Sequence, residues 1–416
     1  MSLSFLMSVL NMLSQLISIL VVVFLLYQAI IGVFALLGLP KAAVADRRNR
    51  FAIVVAARNE QRVIGNLLDS LNRQNYPRDA FSVFVIADNC TDNTAQVSQA
   101  RGARVYCRRD AVRVGKGYAL NWFFELFRAA YPNDFDAVVI FDADNLADPD
   151  FLAAMNDRLC AGECAVMGYR DSKNPYDSWV AAGHSISFWF NSRFYLQPRA
   201  RLGLSTLAGG TGYAFRTELI ADGWQTGTIS EDLEFSLQLM ARGGRVGYEP
   251  RARFYDEQPV GLFVSMRQRI RWANGCYQNI RQTLPYFFRK VTFQTLPYLL
   301  DSIIFLFTMP FISIQMLSIL PQFLTIYLQP VALRQGQLMS LLASGAFGLA
   351  VIYLQVFLTL LPEKKLTPHI LVGALLFPVF LMTNSLAYLI ALVKPNLTWQ
   401  PIVHRKSVSL DQIDRS

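Results

Sequence analysis

Asp142 and Asp144 stand one residue apart at the end of an apolar run, Ala137–Phe141, and carboxylates so spaced can face one cleft. A hard cation such as Mg²⁺ or Mn²⁺ takes one or two carboxylates and fills its remaining positions with water and substrate phosphate oxygens. Taken alone, the pair is an ordinary acidic turn. An EF-hand calcium loop fits poorly, because a strand and not a helix leads into Asp142. Upstream, Lys116 sits between Gly115 and Gly117, which leaves room for its ammonium to approach a phosphate or nucleotide. Downstream, Ser230-Glu231-Asp232 offers a carboxylate able to take a proton, and equally the acidic first turn of a helix over 231–241. Gln268, Arg271 and Trp272 add a guanidinium suited to a diphosphate and a broad apolar ring suited to a sugar. His184, His369 and His404 are too scattered for a zinc site. Five cysteines without a CxxC pair read as reduced thiols.

The elements that must position these groups are legible. Phe51–Ala57, Phe81–Ala87 and Ala137–Phe141 are short apolar runs, the pattern of strands buried on both faces. Each closes on a polar cluster: Arg58-Asn59-Glu60, Asp88 to Thr94, and Asp142-Ala143-Asp144. A helical stretch follows the first, from Val63 to Leu71. Strand, polar loop and helix in repetition predict an α/β fold with a parallel sheet between helices. In such sheets ligands lie beyond the carboxyl ends of the strands, where all three clusters fall.

The composition divides along the chain. Of 416 residues 53% are hydrophobic and 17% charged, against about 25% charged in an average soluble chain. Residues 1–40 carry no charge, and 291–393 carry only Asp301, Arg334, Glu363, Lys364 and Lys365. The chain is expected to comprise an N-terminal anchor (1–40), a soluble catalytic block (41–257), amphipathic interface helices (258–296), a membrane region (297–393) and a tail (394–416). Windows at 16–39, 297–320, 336–361 and 369–393 are long enough to cross a bilayer. Pro310 and Pro321 mark the second as the place for a broken or re-entrant segment. Basic residues favour the cytoplasmic side, so Lys41, Arg47, Arg48 and Arg50 place the central block there, in a multi-pass protein of the cell (inner) membrane. Four crossings put both termini outside, against the basic tail of Lys394, Arg405, Lys406 and Arg415. Trp399 reads as an interfacial anchor.

Together and in order, Lys116, Asp142-x-Asp144, Gly209–Gly212, Ser230-Glu231-Asp232 and Gln268-Arg269-x-Arg271-Trp272 resemble the family 2 glycosyltransferases of GT-A fold. They are most similar to the membrane-embedded processive synthases of cellulose, chitin, hyaluronan and poly-N-acetylglucosamine. The resemblance implies a Rossmann-like mixed sheet flanked by transmembrane helices. It implies nucleotide-sugar contacts at Ala56, Arg58, Glu60, Asp88, Lys116, Asp142 and Asp144, with the metal on Asp144 and Asp142. Asn89 replaces the second acid of the family's paired-Asp loop. The resemblance makes Asp232 the catalytic base, and gives acceptor or diphosphate contacts to Gly210, Thr211, Gly212, Glu231, Gln268, Arg271 and Trp272.

The implied activity is metal-dependent, inverting hexosyl transfer from a UDP-sugar to a growing β-linked polysaccharide, with Mg²⁺ or Mn²⁺ as cofactor. The alternative acceptor is a polyprenyl phosphate or other lipid; an inactive scaffold or a transporter subunit is a weaker reading. The expected partners are the donor, a glycan acceptor and the lipid bilayer, with no nucleic acid. Four spans are few for polymer export, so a homo-oligomer or an export partner is expected to complete a channel.

Overall fold

The computed structural model of the chain describes residues 3–317, 322–323, 326–327, 331–395 and 408–413. Pro321, Trp399, His404, Arg405, Lys406 and Arg415 lie outside the described residues. The amino end is one long helix, α1 (Leu3–Val33). Then come β1 (Phe51–Ala57), α2 (Ile64–Leu71), β2 (Phe81–Asp88), α3 (Thr94–Ala100), β3 (Arg104–Arg108) and α4 (Lys116–Ala130). The chain continues through β4 (Ala137–Asp142), β5 (Leu146–Ala147), α5 (Phe151–Cys160), β6 (Ala165–Ser172) and α6 (Trp179–Phe190). A π-helical segment, Asn191–Leu196, leads into α7 (Gln197–Arg201). The block closes with β7 (Tyr213–Arg216), α8 (Glu231–Ala241), β8 (Val246–Asp256) and α9 (Leu262–Lys290).

The strands form one eight-stranded sheet, ordered β3-β2-β1-β4-β7-β6-β8-β5. Its first half is parallel: β1 pairs with β2 from Phe51↔Phe81 to Ala57↔Ala87, and with β4 from Phe51↔Ala137 to Ala56↔Asp142. The apolar runs dictate this register, since a slip would push Val, Ile and Phe side chains out of the core. Each such side chain contributes about 1.5–3 kcal/mol when fully buried. The second half is mixed, with β7 antiparallel to both β4 and β6. In the parallel half Phe84 gathers Tyr106, Phe123, Phe127, Tyr131 and Phe135 edge-on or tilted around it, anchoring α4 and with it Lys116.

Beyond α9 lie α10 (Leu296–Leu317), α11 (Val331–Leu360), α12 (Leu371–Leu375) and α13 (Phe377–Val393). Among the described residues three helices are long and apolar enough to cross a membrane: Met12–Leu37, Leu296–Leu317 and Arg334–Leu360. α10 runs through Pro310, and Pro321, the other residue expected to mark a break, lies outside the described residues. A bend of 48° separates Pro368–Leu375 from Phe377–Val393. Pro378 starts the second helix, where its missing N–H costs no helical hydrogen bond.

The segments flanking this bent pair both touch the sheet domain. Glu363 accepts hydrogen bonds from Tyr169 Oη at 2.6 Å and Arg193 at 3.5 Å, and Lys365 lies 3.8 Å from Asp171. After the pair, Leu410 is buried with Leu146 and Tyr255, and Asp411 meets Arg73 at 2.6 Å. By length and composition the bent pair is either one broken span, which would make a fourth crossing, or a re-entrant loop.

Candidate active site

The carboxyl ends of β1, β2 and β4, the start of α4, the loops before β7 and α8, and the first turns of α9 surround one cavity of about 790 Å³. It is lined at one end by Ala56, Arg58, Glu60, Asp88, Lys116, Asp142 and Asp144, and in its middle by Gly210, Glu231, Asp232, Gln268, Arg271 and Trp272. Residues spread over more than 200 positions therefore share one wall. The sheet produces this convergence, because parallel strands end their carboxyl termini together.

Lys116 is the hinge of the charged end. Its Nζ donates to Asp142 Oδ1 at 2.5 Å and to the Gly210 carbonyl at 2.6 Å. Burial works against its charge, but Asp142, Glu231 and Asp232 outweigh that cost and raise its pKa. Gly117 lets α4 come close to Glu231: a Cβ there would stand 3.4 Å from Glu231 Cβ. Burial also raises two carboxyls beside Lys116, Glu231 and Asp232. Glu231 is pushed up to about 7, with Lys116 pulling down and Asp232 pushing up; Asp232 is raised too, chiefly by burial and against Lys116 and Arg170. A buried carboxyl held above its usual range is poised to take a proton near neutral pH. Both open α8, whose N-cap Ser230 makes no side-chain cap bond. Gly275 in α9 abuts Ser230 so closely that a Cβ would overlap its Oγ. That contact draws Gln268, Arg271 and Trp272 toward Asp232.

Asp88 is buried and fixed by Arg108 Nη1 at 2.7 Å. Burial raises its pKa while Arg108 opposes the rise. Asn89 adopts φ +53°, a backbone state Asn tolerates better than most residues. Its amide donates to Asp88 and to the Asp110 carbonyl, each at 3.0 Å. Asn89 therefore ties its loop together, work that does not need a second acid.

Two of the expected contacts lie behind the wall. Thr211 is buried; its hydroxyl meets Asn145 Oδ1 and accepts from the Asp142 amide at 2.9 Å, so it braces the Asp-x-Asp turn. Gly212, at φ +67°, leaves space for the Phe254 ring, which a Cβ would strike. Neither lines the cavity; of the three only Gly210 does. In the Gln268–Trp272 motif, Arg269 also turns away. It is buried, donates to the Phe380 carbonyl at 3.2 Å and Thr383 Oγ1 at 3.0 Å, and lies over the Phe380 ring, pinning α9 to α13. His184 meets Ser265 Oγ at 2.8 Å, and burial followed by the Arg269 charge pushes it down to about 3. A neutral, packed imidazole fits a structural part.

Sequence reasoning missed Arg170 and Asp256, at the ends of β6 and β8, which face each other across 3.7 Å and line the cavity. Asp256 is pushed up to about 7 by burial and by Asp144, with Arg170 pulling against Asp142. No motif marks either position, because β6 and β8 join the sheet only through long-range pairing. Sequence reasoning also passed over Leu207, Phe305 and Tyr388 in the lining, where the structure places them with Phe188, Asn191, Tyr195 and Leu196. Phe305 and Tyr388 lie on α10 and α13, so the cavity reaches from the Asp-x-Asp turn to the apolar helices.

Among the described residues no three His, Cys, Asp or Glu side chains gather tightly enough to hold a metal by themselves. Asp142 and Asp144 nevertheless offer the all-oxygen donor set that Mg²⁺ or Mn²⁺ needs when substrate phosphates complete the shell.

A β-monoglucosyldiacylglycerol synthase of Synechocystis is 28% identical over 229 residues, 54% of this chain and 47% of its own. A poly-β-1,6-N-acetyl-D-glucosamine synthase of Staphylococcus aureus is 26% identical over 243 residues, 56% of each. The chain spans about half the length of these curated relatives. A mannosyltransferase from Pyrobaculum calidifontis, solved with GDP-Man and Mn²⁺, covers 91% of this chain and 99% of its own at TM-score 0.62. At 19% identity that likeness is one of fold, and it gives the chain a GT-A-like architecture. The profile described as "Glycosyltransferase like family 2" matches residues 48–275, more than half of the sequence, and the chain belongs to that family.

Proposed function

We infer that this chain is a membrane-bound, inverting hexosyltransferase that passes one sugar from a UDP-sugar to a lipid hydroxyl delivered from the bilayer. The observation that carries the reading is the single cavity joining Asp142 and Asp144 to Phe305 and Tyr388 on apolar helices. Its far end is walled by Tyr195, Leu196, Leu207, Phe305 and Tyr388, side chains that suit an acyl or polyprenyl stem better than a hydrated polymer. Asp232 takes the acceptor proton as the acceptor oxygen bonds to the anomeric carbon. The bond from that carbon to the nucleoside diphosphate breaks, and its electron pair leaves with the diphosphate. Attack from the opposite face turns an α-linked donor into a β-linked product. Arg271 and Lys116, both on the cavity wall, are the cations suited to neutralise the departing diphosphate. A divalent cation held by Asp142 and Asp144 would neutralise further charge there. Glu60, Arg58, Ala56 and Asp88 line the nucleoside end. The relatives' names support a membrane acceptor of either kind, diacylglycerol or growing glycan.

A growing β-linked glycan is the second reading, favoured by the complete Gln268–Trp272 motif and by Trp272 on the cavity wall. A panel of labelled UDP-sugars, offered with Mg²⁺ or Mn²⁺ to the full chain in phosphatidylglycerol vesicles containing dioleoylglycerol, separates the two. A lipid carrying one sugar is expected. A ladder of water-soluble products would overturn the lipid acceptor in favour of the polymer. Transfer to neither would leave the hexosyltransferase reading without support.

A further inference from the structure

The segment between α6 and α7 breaks the helical repeat. Asn191–Leu196 is π-helical, a form that is rare, costly and concentrated at functional sites. A π turn takes in one extra residue and so rotates the chain beyond it. Asn191, Tyr195 and Leu196 of this segment line the cavity together with Phe188 from the last turn of α6. Phe190 and Phe194, stacked at 5.3 Å, mark the segment's other side, where Phe194 lies against Gly32 of α1.

The ring of Tyr195 is held from two directions. The Arg199 guanidinium lies 3.5 Å from its centroid, and the Phe305 ring of α10 stands at 5.4 Å. Arg199 is fully buried and grips Asp301 of α10 with two bonds, Nε and Nη2 each at 2.8 Å. From α1, Tyr27 donates to Asp301 at 3.0 Å and Gln28 accepts from Arg199 at 2.9 Å. Asp301 is the only acid of the α10 span and has no role in donor binding or proton transfer. A buried ion pair is seldom retained for stability alone, since apolar side chains of like volume often serve as well. Ionisable groups in membrane helices more often mark function.

We propose that Tyr195, presented by the π-helical segment, is the acceptor-selecting wall of the site, and that the Arg199–Asp301 pair positions it by tying the segment to α1 and α10. The proposal rests on the proposed function, in which the acceptor enters from the membrane end. It assigns acceptor choice to a contact between membrane helices and the catalytic block, and leaves the donor end unaffected.

The test uses the full chain in phosphatidylglycerol vesicles, with dioleoylglycerol or a short β-linked gluco-oligosaccharide as acceptor and UDP affinity measured in parallel. Tyr195→Ala is expected to raise the acceptor KM about tenfold, as loss of one aromatic contact in a desolvated site does, and to change the preference between the two acceptors. UDP affinity stays near the wild-type value. Tyr195→Phe keeps the ring and the wild-type KM. The double variant R199M/D301L replaces the pair by apolar side chains, so the fold and melting temperature are retained while the acceptor KM still rises. An unchanged acceptor KM in Tyr195→Ala, or a wild-type KM in the stable double variant, overturns the proposal. A wild-type enzyme that uses only the oligosaccharide overturns the lipid acceptor, and the Tyr195 comparison is then read on the oligosaccharide KM. Transfer to neither acceptor overturns both.

Discussion

At the sheet end of the cavity the side chains are held by charge. Lys116 is locked between Asp142 and the Gly210 carbonyl, Asp88 is bound by Arg108, and Asp256 faces Arg170. At the helical end they are held by packing and by one buried ion pair two side chains removed: Tyr195 against Phe305 and Arg199, and Arg199 on Asp301. The first arrangement suits a reaction in which charge moves, since fixed ions beside a departing diphosphate need little reorganisation. The second suits recognition of an apolar stem, where shape decides. One cavity thus contains two kinds of wall.

The largest effect is expected at the junction of the two walls. Asp232→Asn should lower kcat by about 10²–10⁴-fold, the usual worth of a positioned base, while UDP affinity is kept. A variant that retains turnover would remove Asp232 from proton transfer. Next is Asp144→Asn. The Mn²⁺ concentration giving half-maximal activity should rise, and chelation should abolish wild-type activity; a variant with unchanged metal dependence would detach the turn from the cation.

Thr211→Val tests whether the turn behind the wall is structural. It removes the hydroxyl that meets the Asp142 amide and Asn145, which keep a 3.1 Å bond to each other. Loss of the two buried bonds costs about 1–3 kcal/mol, so melting should fall while acceptor KM stays put. A raised acceptor KM at unchanged melting temperature would return Thr211 to the acceptor side. The pH profile is a subtler probe. Burial raises Asp232 and holds Glu231 near 7, and the base acts only when deprotonated. Activity should therefore be lost as pH falls, with a midpoint above the ordinary carboxylate range. Glu231→Gln removes a neighbouring negative charge, so the midpoint should move to lower pH; movement to higher pH would contradict the assignment. The smallest effect is expected at the exposed Arg73–Asp411 pair. Asp411→Asn should hardly alter melting, whereas Leu410→Asp should free the tail from Leu146 and Tyr255 and open it to protease. A protected tail in Leu410→Asp would show that the apolar contact does not hold it.

Several elements were legible because their cause is local. Predicted strands 51–57, 81–87 and 137–141 appear as β1 (Phe51–Ala57), β2 (Phe81–Asp88) and β4 (Ala137–Asp142), and the helix over 231–241 as α8. An apolar run must be buried on both faces wherever it lies, and a polar cluster at its end must face out of the sheet. The long apolar helices were legible for the same reason; the structure adds that α10 continues through Pro310 and that the chain bends between Leu375 and Phe377.

By themselves the residues determined the parallel half of the sheet, the convergence of Asp88, Asp142 and Asp144 at its edge, and the presence of a base-like carboxylate at the start of α8. Tertiary structure alone decided that β7 enters antiparallel, that Arg170 and Asp256 meet across the cavity, and that Thr211, Gly212 and Arg269 face away from it. It also decided that Tyr195, Phe305 and Tyr388, nearly two hundred residues apart, share one wall. The reason is physical. Periodicity specifies which face of an element is buried, but the partner it is buried against is chosen by long-range packing, and a motif carries no record of what packs behind it.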